Sequence, residues 1–127
     1  MKTFVIPQST LDRLISRWLN SKVDTIESEP YMGGNSYTIK TKKGNELFGV
    51  YFEKTSNMRP YDGDTIHVKV VPDQLNSLYD IFPLGIHFNE IINSIKRYFK
   101  DPSRRKFKFD EDHLIDDGTK VIMFTGE

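Results

Sequence analysis

Apolar residues recur with a helical period in two stretches of this 127-residue chain and alternate with polar ones in several others. Leu11, Leu14, Ile15, Trp18 and Leu19 fall at i, i+3, i+4, i+7 and i+8, a continuous stripe that predicts a core-facing helix with Arg13 and Arg17 in water. Ser9, with Asp12 three residues on, has the spacing of a capping box, so the helix is expected to start there. Phe88, Ile91, Ile92, Ile95 and Phe99 mark a second helical stripe. Lys96, Arg97 and Lys100 sit off that stripe in the last turns, where cations oppose the negative end of the helix dipole.

The period changes to two between Ser36 and Lys54, with Tyr37, Ile39 and Thr41, a turn at Lys43-Gly44-Asn45, then Phe48, Val50 and Phe52. This pattern predicts a β-hairpin whose Gly44 supplies the positive φ of a tight turn. A further strand is expected from Thr65 to Val71, burying Ile66, Val68 and Val70 and turning Thr65, His67 and Lys69 the other way, with Pro72 ending it. A short strand at Thr3 to Ile6, a short helical segment capped by Asp73 and running to Phe82, alternating Phe107 and Phe109, and a strand from Val121 to Phe124 after a turn at Asp117-Gly118 complete the reading. The order suits one α+β domain over residues 1–127, a mainly antiparallel sheet of about four to six strands with two long amphipathic helices packed on it.

Composition narrows the chemistry. With 37% hydrophobic and 28% charged residues the chain can bury one core and is not of disordered type. The absence of cysteine excludes disulfides, thiol catalysis and cysteine-based zinc sites, and leaves three histidines as soft ligands. The start MKTFVIPQST is too short and too interrupted for a signal peptide or a span, so a cytoplasmic protein is expected, with no membrane partner. The chain has no alanine and is rich in Lys, Asn and Ile, a coding bias that fits an AT-rich genome such as a phage's and would place it in the host cytoplasm. Net charge is zero, but from Lys96 to Phe109 there are seven basic residues and one acid, and from Asp110 to Asp117 five acids with no Lys or Arg.

Asp62-Gly63-Asp64-Thr65 resembles the opening of the thermonuclease signature, whose second aspartate helps hold calcium and whose strand continues with alternating apolar residues. The resemblance covers those four residues and the strand after them; a competing expectation is an enzyme acting on nucleic acid, with Asp62, Asp64, Glu53 and His67 near a cation and the basic run holding phosphates. The signature's downstream Asp-Thr-Pro-Glu stretch is absent, since neither Asp24-Thr25 nor Asp64-Thr65 is followed by proline, and Asp-Gly-Asp is in itself good turn chemistry. His67 is expected to share a sheet face with Tyr51 and Glu53, an acid-base set if the strands are neighbours. Residues 110–118 are acidic but lack EF-hand spacing, and His87 with Glu90 is a single pair without HExxH. No lysine has a carboxylate two residues before it, and phosphate-loop, GxGxxG and GxSxG motifs are missing. No cofactor and no resident metal is expected.

What remains is KRYFKDPSRRKFKF, residues 96–109, in which cations are interleaved with Tyr98, Phe99, Phe107 and Phe109. The leading expectation is therefore a small non-enzymatic interaction protein. Its partner is a protein or a nucleic acid-protein complex, met by Arg97, Lys100, Arg104, Arg105, Lys106 and Lys108. Reversing Arg104 and Arg105 is expected to abolish that binding and spare the fold. The alternatives are the metal-dependent nuclease and a structural component of a larger assembly.

Overall fold

The computed structural model describes residues 7–31, 34–53, 65–82 and 88–126, so the expected strand at residues 3–6 and the side chains of Asp62, Asp64 and His87 lie outside the described residues. Helix α1 (Gln8–Lys22) leads through Val23 and Asp24 into strands β1 (Thr25–Tyr31), β2 (Gly34–Lys40), β3 (Glu46–Glu53) and β4 (Thr65–Val70). Helices α2 (Pro72–Asp80) and α3 (Phe88–Lys100), short 3-10 turns at Pro102–Arg104 and Asp110–Leu114, and strand β5 (Lys120–Thr125) follow. The strands lie in sequence order, β1-β2-β3-β4-β5. The first three junctions are antiparallel, and β5 runs parallel to β4 because the chain between them crosses over through two helices. The fold is α+β with a mixed, mostly antiparallel sheet. The helices have 15, 9 and 13 residues, a medium-length pair with a short third instead of two long ones.

One sheet face carries the core. Tyr37 and Ile39 of β2, Phe48 and Val50 of β3, and Ile66, Val68 and Val70 of β4 are buried against Leu11, Ile15 and Leu19 of α1 and Ile91, Ile95, Tyr98 and Phe99 of α3. The Phe48 and Phe99 rings meet edge to face at 5.0 Å. Each α1 stripe residue four apart from the last is buried, whereas Leu14 stands at the stripe's edge and is 37% exposed. In α3 the buried face is turned toward Ser94 and Tyr98, leaving Phe88 exposed against Tyr79. That rotation is what lets Ser94 and Tyr98 hydrogen-bond to α1.

The β2–β3 hairpin forms where alternation predicts it, with one irregularity. The register slips between Ile39, opposite Phe48, and Lys40, opposite Glu46. Leu47 is the extra residue, and this bulge allows two consecutive side chains, Leu47 and Phe48, to be buried together. The connecting turn closes with Gly44 N donating to Thr41 O at 2.9 Å and Thr41 N donating to Asn45 O at 2.9 Å. Gly44 adopts φ +84°, in the left-handed region. A Cβ there meets nothing within 4 Å, so the cost of a side chain is purely that of the backbone. Gly44→Ala is expected to lose about 1 kcal/mol in urea denaturation, and Gly44→Asn less, because Asn tolerates this conformation.

Two expected caps are not formed. Helix α1 starts at Gln8 after Pro7, with no side-chain cap, because Asp12 is turned inward to arginine rather than back toward Ser9. Helix α2 follows Val71, also without a side-chain cap, and Asp73 sits within its first turn, where its charge favours the dipole. Residues 105–109 alternate without forming a strand, for reasons that lie in Arg105. Strand β1, TIESEPY, carries a single inward aliphatic residue, Ile26, and so shows no alternation to read.

Candidate functional site

The arginines of the basic run are engaged by carboxylates of the fold. Arg97 donates from Nε to Asp12 Oδ2 at 2.9 Å and from Nη2 to Oδ1 at 2.8 Å, and Ser94 Oγ donates to Oδ1 at 2.7 Å. Arg104 Nη1 lies 3.0 Å from Asp12 Oδ2, and its Nε reaches Asp101 at 3.3 Å. Burial pushes the Asp12 carboxyl up, but the donors from Arg97, Ser94 and Arg104 outweigh it and hold the pKa at about 2. Asp101 is also held below its usual value, first by the hydrogen bond from Ser103 Oγ.

Arg105 is the most enclosed of the set, with a side chain 0% exposed. Its Nη2 donates to Asp112 Oδ1 at 2.7 Å, and its guanidinium lies 4.7 Å from the Phe109 ring and 5.5 Å from Phe107. The expectation that Arg105 can be reversed without touching the fold is therefore corrected: it is an interior residue. Lys100 donates from Nζ to the Asp117 carbonyl at 3.2 Å, while Lys106 and Lys108 are exposed.

The acidic run that follows is likewise internal in part. Asp112 receives Arg105 and the Phe109 amide, and buried Glu111 accepts from Asn35 N at 3.0 Å and from the Tyr37 hydroxyl. Burial and then the Glu111 carboxylate push the Tyr37 hydroxyl well above its usual pKa. Among the described residues, no three His, Asp or Glu side chains converge as a metal site requires.

The sheet face away from the helices brings together the residues that alternation assigned to it. Tyr51 of β3 lies opposite His67 of β4, their rings parallel within 9° and 4.5 Å apart, and His67 Nε2 is 3.4 Å from Glu53 Oε1. Tyr31 of β1 adds a tilted ring 5.1 Å from Tyr51. Burial, then the neighbouring Tyr31 and Glu53, raise the Tyr51 pKa. This is a stacked ladder with one long His–Glu contact. The other two members of the nuclease set, Asp62 and Asp64, fall outside the described residues.

A different cluster emerges where the end of α1, the hairpin turn and the segment after α3 meet. Lys22, Lys42, Lys43 and Lys106 line a depression of about 530 Å³ together with Ser21, Asp24, Thr41, Asn45 and Gln74. Each lysine is placed by a local cause. Lys22 occupies the last turn of α1 and lies over the Trp18 ring at 5.6 Å. Lys42 and Lys43 are the corner residues of the turn that Gly44 closes. Lys106 is brought in by Asn20, whose Oδ1 accepts Lys106 N at 3.2 Å and the Tyr98 hydroxyl at 2.6 Å, while its Nδ2 donates to Arg104 O at 2.9 Å. All four lysines are exposed, and none forms an ion pair among the described residues. Only Lys106 belongs to the sequence-predicted set. The others stand in separate segments, with no periodicity to link them.

No family model, curated protein or solved structure matches this chain. No described helix is long and apolar enough to cross a membrane.

Proposed function

We propose that the protein is a non-enzymatic interaction domain that docks an acidic segment of a partner protein in the depression lined by Lys22, Lys42, Lys43 and Lys106. The observation that carries this reading is the convergence of four exposed lysines, without an ion pair among the described residues, against one aspartate, on a protein whose total formal charge is zero. Such a local excess attracts anions even where the whole molecule does not steer them. The side chains between the lysines favour a peptide over a phosphate backbone. Asp24, Ser21, Thr41, Asn45 and Gln74 give a mixed set of acceptors and donors, whereas a row of phosphates offers acceptors alone, and no exposed ring among the described residues lines the depression to stack a base.

The basic-aromatic segment keeps a part in this reading through Lys106. Among its arginines, Arg104 acts one step removed, tying residues 104–106 to α1 through Asp12 beside the Asn20 bonds. The test uses a glutamate-rich peptide as probe. Lys42→Glu combined with Lys43→Glu is expected to weaken binding at least about tenfold, because exposed lysines at a turn contribute to binding and little to folding. Affinity should also fall with added salt. Unchanged affinity refutes the depression as the site, and tighter binding of a DNA strand than of the peptide moves the assignment to nucleic acid.

A further inference from the structure

The two edges of the sheet are unlike. Strand β1 protects its outer edge with Pro30, which has no amide proton to offer, and with the exposed carboxylates of Glu27 and Glu29. Strand β5, KVIMFT, has neither device, and its one charge, Lys120, stands at its first residue. Among the described strands only β4 is its neighbour. Its outward side chains on the open face, Ile122 and Phe124, are 47% and 40% exposed, and Val121 and Met123 pack toward the core from the other face. Among the described residues, the outer row of backbone groups of this apolar strand is unpaired and unguarded, which makes it a template for another strand.

We infer that this edge pairs with the same edge of a second copy, joining two sheets through antiparallel β5 strands about a two-fold axis. Edge asymmetry selects the occupant. A head-to-tail join would bring β5 against β1, where Pro30 and the two glutamates oppose it, so self-association is confined to the closed β5–β5 pairing. The strand is also complementary to itself in one register. Residues directly opposite in an antiparallel pair share a face, so placing Met123 opposite its own copy sets each Ile122 against the partner copy's Phe124. The two exposed apolar side chains of each chain then cover one another on the open face. Lys120 falls at the ends of the pairing, away from its own copy. Six-residue strands bury too little for an obligate dimer, so the association is expected to be weak, with a dissociation constant on the order of 10 µM.

Sedimentation of the whole protein from about 1 µM to about 1 mM is expected to move from the mass of one chain, 14.8 kDa, to twice that and no further. Ile122→Lys combined with Phe124→Lys should remain a monomer throughout with an unchanged circular dichroism spectrum. Because the chain has no cysteine, a second variant tests register independently of folding under charge. Met123→Cys should form a covalent dimer on mild oxidation, while Lys43→Cys, on the hairpin turn, should not. A wild-type monomer at every concentration, assembly beyond a dimer, a dimer that survives the double lysine change, or equal cross-linking at position 43 each overturns the inference.

Discussion

Arg105→Glu should unfold the domain, not silence it. The Arg105 side chain is fully enclosed, paired with Asp112 and placed over the adjoining Phe107 and Phe109 rings. Removing one partner of a buried, hydrogen-bonded ion pair costs about 3–5 kcal/mol, and glutamate adds a like charge facing Asp112. Domains of this size are stable by about 5–15 kcal/mol, so the variant stands at or beyond the limit of folding. Arg105→Met keeps the stem that packs on the rings and should be milder, losing about 2–3 kcal/mol through the unpaired Asp112. Urea denaturation of the two variants separates the contributions. A folded Arg105→Glu protein with wild-type midpoint would show that the guanidinium is not the element holding residues 105–112 together.

The second large effect is expected at Asp12, the carboxylate that α3 and the following turn share. Asp12→Ala leaves Arg97 and Ser94 without their acceptor and should destabilise by about 3 kcal/mol, toward the lower end for buried pairs because both arginines are one-third exposed. The acid limb of stability supplies a separate reading. A carboxyl with a lower pKa folded than unfolded binds fewer protons in the folded state, so its contribution is complete above the ordinary value of 3.8 and disappears as pH falls toward about 2. The contribution is about 2 kcal/mol for that difference. Asp12→Asn should therefore be less stable than wild type at neutral pH and show a flatter loss between pH ~4 and ~2. Equal slopes for the two proteins would remove Asp12 from the acid transition.

Much of the scaffold was legible because it is periodic. The α1 and α3 stripes, the β2–β3 hairpin with Gly44 and the inward residues of β4 follow directly from spacings of four and two. Where the reading failed, a tertiary partner overrode a local rule. Ser9 and Asp12 have capping-box spacing, yet two arginines more than eighty residues away draw Asp12 inward. Phe107 and Phe109 alternate as strand residues do, but both rings pack on a guanidinium. Leu47 is buried through a bulge that period two cannot express. The lysine depression was illegible for a different reason. Its members come from segments that meet only after the sheet and helices pack, and nothing in lysine spacing at 22, 42, 43 and 106 reports that meeting.

The anchoring of α1 also orders the events of folding. Strands β1, β2 and β3 join neighbours through connections of two and five residues, so their pairing can begin from local contacts. The polar ties of α1, through Asp12 and Asn20, all run to residues 94–106, at sequence separations from 78 to 92. A helix of 15 residues is marginal alone. As the chain emerges during synthesis, α1 is made well before it is secured, waiting on α3 and the segment after it to supply the arginines that hold it.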